Sequence, residues 1–283
     1  MSRSSHTSSV SRQPPIRLVL FDLDETLAPD EETNASLLDE LARELATSRG
    51  VAPDRFLGTV RDATRDLWET GPAAAYAQRI GISALEGLWG PFGSSTDPML
   101  NALHMFVPEY RRRVWSRVLA ACGVSDADAA ERLAMRFATE RAARQRPYAW
   151  SRDTLLALRD HFRLGMITNG APDLQRQKLA GAGLAEYFDP LVVSGDLGIG
   201  KPEAEIFTHA LASAGIADSS AAVMVGDSWH RDVLGAVGAG LRAIWIDPTA
   251  ALLPVLNAIA QGIPSIADVR MLPSLLTALS QSS

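Results

Sequence analysis

Two carboxylates stand two residues apart in the segment Phe21-Asp22-Leu23-Asp24-Glu25-Thr26-Leu27, directly after a short apolar run. Acids so placed can enter one crevice. One acts as nucleophile and metal ligand while its neighbour gives a proton to a leaving group and then takes one from water. A turn or helix cap would use the same residues, so the pair gains meaning from its company. Thr168-Asn169-Gly170, followed by Ala171-Pro172-Asp173, offers a hydroxyl, an amide and backbone N–H groups suited to a phosphate, with Pro172 fit for a helix's first turn. Gly198-Ile199-Gly200-Lys201-Pro202 holds one of only two lysines, against 25 arginines, at the head of a helix. A compact point charge is wanted there, and the segment is too short of glycines to be a nucleotide P-loop. Val225-Gly226-Asp227-Ser228-Trp229-His230-Arg231-Asp232 adds two more acids. Asp227 is placed to complete an oxygen-ligand site for a hard cation such as Mg2+. His230, alone in a solvent-facing loop, is read as surface or packing.

The elements that must carry these groups repeat one grammar. Residues 16–21 read IRLVLF, a short apolar run closed by acidic and turn-forming residues, as in a fully buried parallel strand. LGMIT (164–168), LVVS (191–194), AVMVG (222–226) and AIWI (243–246) follow the same pattern, each after a helix-spaced segment. Residues 263–267 add a further strand before a final helix near 273–279. Alternation of this kind predicts an α/β fold, a parallel-sheet, Rossmann-like core with helices on both faces. Between residues 30 and 148 the pattern changes to helical spacing, as in Leu37, Leu38, Leu41 and Leu45 or Val114, Val118 and Leu119. The expected organisation is a tail at 1–13, a discontinuous core at 14–29 and 149–283, and an inserted helical cap domain at 30–148. The insert leaves above the carboxyl ends of the strands, where such sheets bind ligands, so it is placed to act as a lid.

Composition narrows the setting. Lys+Arg is 27 against Asp+Glu 33, a formal charge of −6, which argues against nucleic acid or an anionic membrane as the main partner. The single cysteine, Cys122, forbids an intramolecular disulfide and a Cys-based zinc cage, and points to a reducing, cytoplasmic compartment. The longest apolar stretch, residues 250–260, is broken by Pro254 and Asn257 and is too short to span a bilayer. The Ser-rich residues 1–13 contain no apolar core of a signal peptide and read as a disordered tail.

Taken in order, each at a strand end, the four segments resemble the four motifs of the haloacid dehalogenase superfamily, mostly Mg2+-dependent phosphatases. FDLDETL, ITNG, GIGKPEAEIF and VGDSWHRD are most similar to the branch containing pyrimidine 5′-nucleotidases, N-acylneuraminate-9-phosphate phosphatases and phosphoglycolate phosphatases. The resemblance covers residues 16–29 and about 149–250, and the insert matches the family's first type of helical cap. It implies that Asp22 attacks phosphorus to give an aspartyl-phosphate and that Asp24 is the general acid and base. It further implies that Thr168, Asn169 and Lys201 bind the phosphoryl group. Mg2+ would be held by the Asp22 carboxylate, the Asp24 backbone carbonyl and Asp227, with Asp232 orienting water or Lys201. Three acids and a phosphate dianion need a divalent cation and a lysine to offset their charge.

Other reactions of the family leave different traces. Metal-free C–halogen dehalogenases lack the second acid, so Asp24 and Asp227 count against them. Phosphonoacetaldehyde hydrolases use a cap lysine, and no lysine occurs between residues 30 and 148. Phosphosugar mutases usually carry Gly where this chain has Glu25, and they remain an alternative, as does a non-catalytic binding module of the same fold. The expected substrate is a small phosphorylated metabolite. In the cap, Arg111-Arg112-Arg113, Tyr76, Trp89, His104 and Trp115 are candidates to meet it, although helix-spaced aromatics more often form a core and an Arg run a solvated face. The insert carries 15 Arg and 17 Asp+Glu, so it is not basic as a whole.

Overall fold

The computed structural model describes residues 14–247 and 262–281; the tail 1–13 and the apolar stretch 250–260 lie outside the described residues. Six strands form one sheet in the order β3-β2-β1-β4-β5-β6, with every neighbouring pair parallel. They are β1 (Leu18–Phe21), β2 (Arg163–Thr168), β3 (Leu191–Val193), β4 (Ala222–Gly226), β5 (Arg242–Ile246) and β6 (Ser265–Ile266). Two expected strands are shorter than their apolar runs: Ile16 is buried yet precedes the ladder of β1, and β6 at the sheet edge keeps only two residues.

The two-residue period of a strand divides the core. Val19 and Phe21 pack with Met166, Val223 and Ile244 against helix α7 (Ser151–Arg159) and the closing helix Leu272–Gln281. Leu18 and Leu20 face the opposite way, onto Ile206 and Phe207 of helix α10 (Ala204–Ser213). Both faces are covered, which is why β1 is apolar at every position rather than alternating.

The insert is helical throughout the described residues: α1 (Asp30–Arg49), α2 (Pro53–Glu69), α3 (Ala74–Ile80), α4 (Ala84–Gly87), α5 (Pro98–Ala121) and α6 (Ala127–Ala143). Its ends carry local stop and start chemistry. Gly50 ends α1 at φ 68°, Pro53 opens α2, and the Asp97 carboxylate accepts from the N–H groups of Met99 and Leu100 to cap α5. The helices enclose their own apolar cluster, including Leu41, Phe56, Trp68, Tyr110, Trp115 and Phe137. Each such side chain contributes roughly 1.5–3 kcal/mol by leaving water. That cluster continues into Ala171 and Leu174 at the start of α8 (Pro172–Gly181), so the cap is seated on the core helix that follows β2. Among the described residues no helix is long and apolar enough to cross a membrane.

Candidate active site

β1 delivers Asp22 to the carboxyl edge of the sheet, where its N–H donates to Val225 O of the adjacent β4 at 2.9 Å. The chain then makes a tight turn: Leu27 N–H returns to Leu23 O at 2.9 Å and Glu25 N–H to Ala28 O at 2.8 Å. Glu25 takes the left-handed conformation, φ 58°, which a side chain seldom adopts without compensation. The compensation is visible. Its carboxylate accepts from Glu31 N–H at 2.6 Å and from the Tyr148 hydroxyl at 3.2 Å, so it ties together the two connections between core and cap. Thr26, buried in the same turn, reaches β4: its hydroxyl accepts from Asp227 N–H at 3.1 Å and faces Asp227 Oδ1 at 3.4 Å.

Lys201 enters from the loop before α10. Its Nζ lies 2.7 Å from Asp22 Oδ1 and 2.6 Å from Asp232 Oδ1, with its side chain only 2% exposed. Burial disfavours the charge on Lys201, but Asp22 and Asp232 outweigh it and hold the ammonium above its ordinary range. Asp232 is in turn fixed by Ser228 N–H at 2.9 Å and lies against Gly226, where a Cβ would come within 2.3 Å of Asp232 Oδ2. Glycine at the end of β4 is therefore what lets Asp232 fold back beneath the site.

Thr168 and Asn169 stand at the end of β2, where Thr168 is buried and Asn169 lines the cavity beside Lys201. Asn169 accepts from Lys201 N–H and donates to Lys201 O, both at 2.9 Å, which fixes the backbone of the lysine. Thr168 is buried and donates to Gln175 Oε1 at 3.1 Å. A buried hydroxyl must find a partner, and α8 provides one.

Gln175 opens a network that motif reading missed. Its amide donates to Glu86 Oε1 at 3.3 Å, and Glu86 receives Lys178 Nζ at 2.7 Å. Lys178 also meets Asp24 Oδ2 at 3.0 Å and Asp30 Oδ1 at 2.9 Å, with its side chain 3% exposed. Arg141 joins from α6, its Nη2 on Asp30 at 2.5 Å and its Nε on Asn34 Oδ1 at 2.6 Å, stacked over Trp89 at 4.3 Å. The one sequence signal for this network was the scarcity of lysine: both lysines of the chain lie buried in this region.

The electrostatics follow from this crowding. Burial pushes the Asp24 carboxyl up to about 7, with Asp30, Glu86 and Asp22 adding to the rise and Lys178 opposing it. Asp227 is pushed up to about 8 by burial and by its neighbours Asp22 and Asp232, and burial takes Asp232 to about 6. Carboxylate oxygens of Asp22, Asp227 and Asp232 all lie within 4.8 Å of one another, a hard-oxygen donor set that suits a divalent cation. Both oxygens of Asp232 are engaged by Lys201 and Ser228, whereas Asp22 and Asp227 could each turn an oxygen to a cation.

These groups border a cavity of about 320 Å³ closed on the cap side by Asn34, Gly81, Ser83, Leu85 and Glu86. Gly81 approaches so closely that a Cβ there would meet the Asn169 Cβ at 2.7 Å. A second opening of about 400 Å³ beside Pro172 is lined by Asp97, Asp173 and Asp196 and by no cationic side chain, which disfavours an anion there. The cap candidates are mostly internal. Trp115 packs on Phe56 and Phe137, Tyr76 is buried, and His104 Nδ1 is 2.7 Å from Phe92 O. Arg111 departs from a solvated run by binding Gly87 O and Gly90 O at 3.0 and 2.5 Å, while Arg112 pairs with Glu109 at the surface. Trp89 alone adjoins the site, 5.6 Å from Lys178 Nζ.

A family model described as haloacid dehalogenase-like hydrolase matches residues 16–240. A phosphoserine phosphatase of Thermus thermophilus is 38% identical over 234 residues, 82% of this chain and 89% of that protein. A shorter match, 44% identical over 93 residues, relates 33% of this chain to 41% of the pyrimidine 5'-nucleotidase YjjG of Escherichia coli. Among solved structures, the magnesium-bound HAD-hydrolase YfnB of Bacillus subtilis superposes with a TM-score of 0.60 at 22% identity. The alignment covers 93% of this chain and all of that one, a likeness of fold.

Proposed function

The chain belongs to the haloacid dehalogenase-like hydrolases, and on that footing we propose that it is a Mg2+-dependent phosphomonoester hydrolase acting on a small phosphorylated metabolite. The observation that carries this reading is Lys201, whose ammonium bridges Asp22 and Asp232 at 2.7 and 2.6 Å beside the Asp22–Asp227 pair. In that setting a phosphoryl group meets a nucleophile, a fixed cation and a proton donor at one strand edge. Asp22 attacks phosphorus, and as the bond to the ester oxygen breaks, protonated Asp24 gives its proton to the departing alkoxide. The Asp24 carboxylate then takes a proton from the water that attacks the aspartyl-phosphate, releasing phosphate and restoring Asp22. An acid held at about 7 is available in both forms near neutral pH, as this exchange requires. Lys201 offsets charge on the phosphoryl oxygens, Asn169 fixes the Lys201 backbone, Thr168 holds Gln175 in place and Asp232 orients the Lys201 side chain.

Asp22, Asp227 and the Asp24 carbonyl would hold Mg2+. When bound, the ion neutralises charge on the acids and the phosphoryl oxygens. Residues 30–148 would form the cap that shields the reaction from water. Cys122, the only cysteine, supports a cytoplasmic setting. The cavity of about 320 Å³ has one apolar and no aromatic side chain in its lining, which favours a compact polar alcohol over a nucleoside. Phosphoserine, the substrate named for the Thermus relative, therefore heads the panel.

The test is phosphate release from phosphoserine, glyceraldehyde 3-phosphate, phosphoglycolate, sugar phosphates, nucleoside monophosphates and p-nitrophenyl phosphate, with Mg2+ or EDTA. Turnover that requires Mg2+ and vanishes in Asp22→Asn is expected. Silence across the panel from folded protein would refute the reading.

A further inference from the structure

Lys178 is the second lysine of the chain and lies one turn beyond Gln175 on α8. An ammonium has three N–H donors, and three carboxylates receive it: Glu86 at 2.7 Å, Asp30 at 2.9 Å and Asp24 at 3.0 Å. The three acids come from three places. Asp24 belongs to the turn after β1, Asp30 opens α1 where the chain enters the cap, and Glu86 lies on α4 inside the cap. Glu86 is itself held rigid, since its second oxygen accepts from Ser83 N–H at 2.7 Å.

Asp24 offers Oδ2 to Lys178, and its Oδ1 has no hydrogen-bond partner among the described residues. Its side chain is 29% exposed and lines the cavity. One oxygen is thus anchored while the other faces the space where a leaving group departs.

We infer that Lys178 is a positioning residue for Asp24, and that Glu86 makes its grip depend on the cap being seated. Lys178 does not touch the phosphoryl group. It fixes the rotamer of the acid that does the proton transfer, while Glu86 and Gln175 fix the ammonium from the cap side and from its own helix. When the cap is seated, Lys178 has its full set of partners and Asp24 is held in register; when Glu86 withdraws, the ammonium loses its shortest contact. This inference rests on the phosphatase reading above.

A fastener that merely stabilised the fold would depress all substrates alike, whereas a residue that aims the proton donor acts, in the step that forms the aspartyl-phosphate, only where the leaving group needs a proton; hydrolysis of that intermediate is common to every ester and does not enter kcat/KM. The alkoxide of an alkyl phosphate needs one; p-nitrophenolate leaves without it. The experiment compares kcat/KM for p-nitrophenyl phosphate with that for the alkyl ester of the panel that the wild type turns over fastest. It uses the full-length wild type, Lys178→Met, Lys178→Arg and Glu86→Gln, with thermal melts to establish folding. Lys178→Met is expected to lose roughly 10- to 100-fold more kcat/KM on the alkyl ester than on the aryl ester. Lys178→Arg should recover most of that difference, and Glu86→Gln should show a smaller loss of the same kind. Equal losses on both esters would overturn the inference and leave the phosphatase reading standing. If Lys178→Met fails to fold, Lys178→Arg and Glu86→Gln decide, an unchanged alkyl-to-aryl ratio in both overturning it. A wild type inert toward every ester would overturn both readings together.

Discussion

Replacing Gly226 by alanine isolates one contact on which the site depends. The added Cβ would lie 2.3 Å from Oδ2, 2.4 Å from Cγ and 2.7 Å from Cβ of Asp232. Ordinary van der Waals contact begins near 3.4 Å, so Asp232 must retreat by about 1 Å or the end of β4 must move. Asp232 is 1% exposed and is held between Ser228 N–H and the Lys201 ammonium. Retreat breaks its bonds to Ser228 N–H and to Lys201. Overpacking costs about 1–3 kcal/mol and a charge-assisted hydrogen bond is worth about 1.5–3 kcal/mol, so a loss of about 3–5 kcal/mol is expected. Lys201 would keep Asp22 but lose its second anchor, and a misplacement of about 1 Å at a reacting centre costs on the order of 10²-fold in rate. The assay pairs urea unfolding with Mg2+-dependent phosphate release, and Gly58→Ala serves as the control. Gly58 lies inside α2 with nothing within 4 Å of a built Cβ, so that change should stabilise by about 0.5–1 kcal/mol and leave kcat unaltered. Gly226→Ala within about 0.5 kcal/mol of wild type and with unchanged kcat would refute the account of Asp232 as the support of Lys201.

The remaining expectations concern the acids and Asn169. With EDTA present, Asp24, Asp227 and Asp232 hold protons in the folded protein to about 7, 8 and 6, while the unfolded chain releases them near 3.8. Their contribution to stability is therefore complete below the unfolded value and is lost as pH rises through the folded values, so melting temperature in EDTA should fall from about pH 5 to pH 8. Mg2+ should raise it more at the upper end, because the ligands must be deprotonated to bind; an equal Mg2+ effect at both ends would contradict this. Asn169→Ala removes both hydrogen bonds that fix the Lys201 backbone and should lower kcat by on the order of 10- to 100-fold, a cost of about 1–3 kcal/mol. Undiminished turnover in that variant would show that Lys201 is held by its carboxylates alone.

The strands and the strand-end acids could be read without coordinates, because each depends on neighbours in the chain. A buried parallel strand must be apolar on both faces, and a D-x-D turn, a Gly-flanked lysine and a Gly-Asp pair announce themselves over a few residues. The helical insert was legible for the same reason, through its periodicity. Tertiary structure alone decided how the polar side chains pair. Thr168 turned to Gln175, because a polar group sealed beneath a sheet edge must be satisfied by whatever packs above it, and Asn169, at the cavity wall, turned to the backbone of Lys201. Arg111 left the surface to bind two loop carbonyls, and Trp89 was drawn against Arg141 and close to Lys178. Lys178 shows the limit most sharply. Scarcity of lysine drew attention to Lys201 alone, and the partners of Lys178, Asp24, Asp30 and Glu86, stand 154, 148 and 92 residues away along the chain. No local pattern records which distant charges will share one low-dielectric space, because that is settled only when the cap comes down on α8 and burial forces each charge to find its opposite.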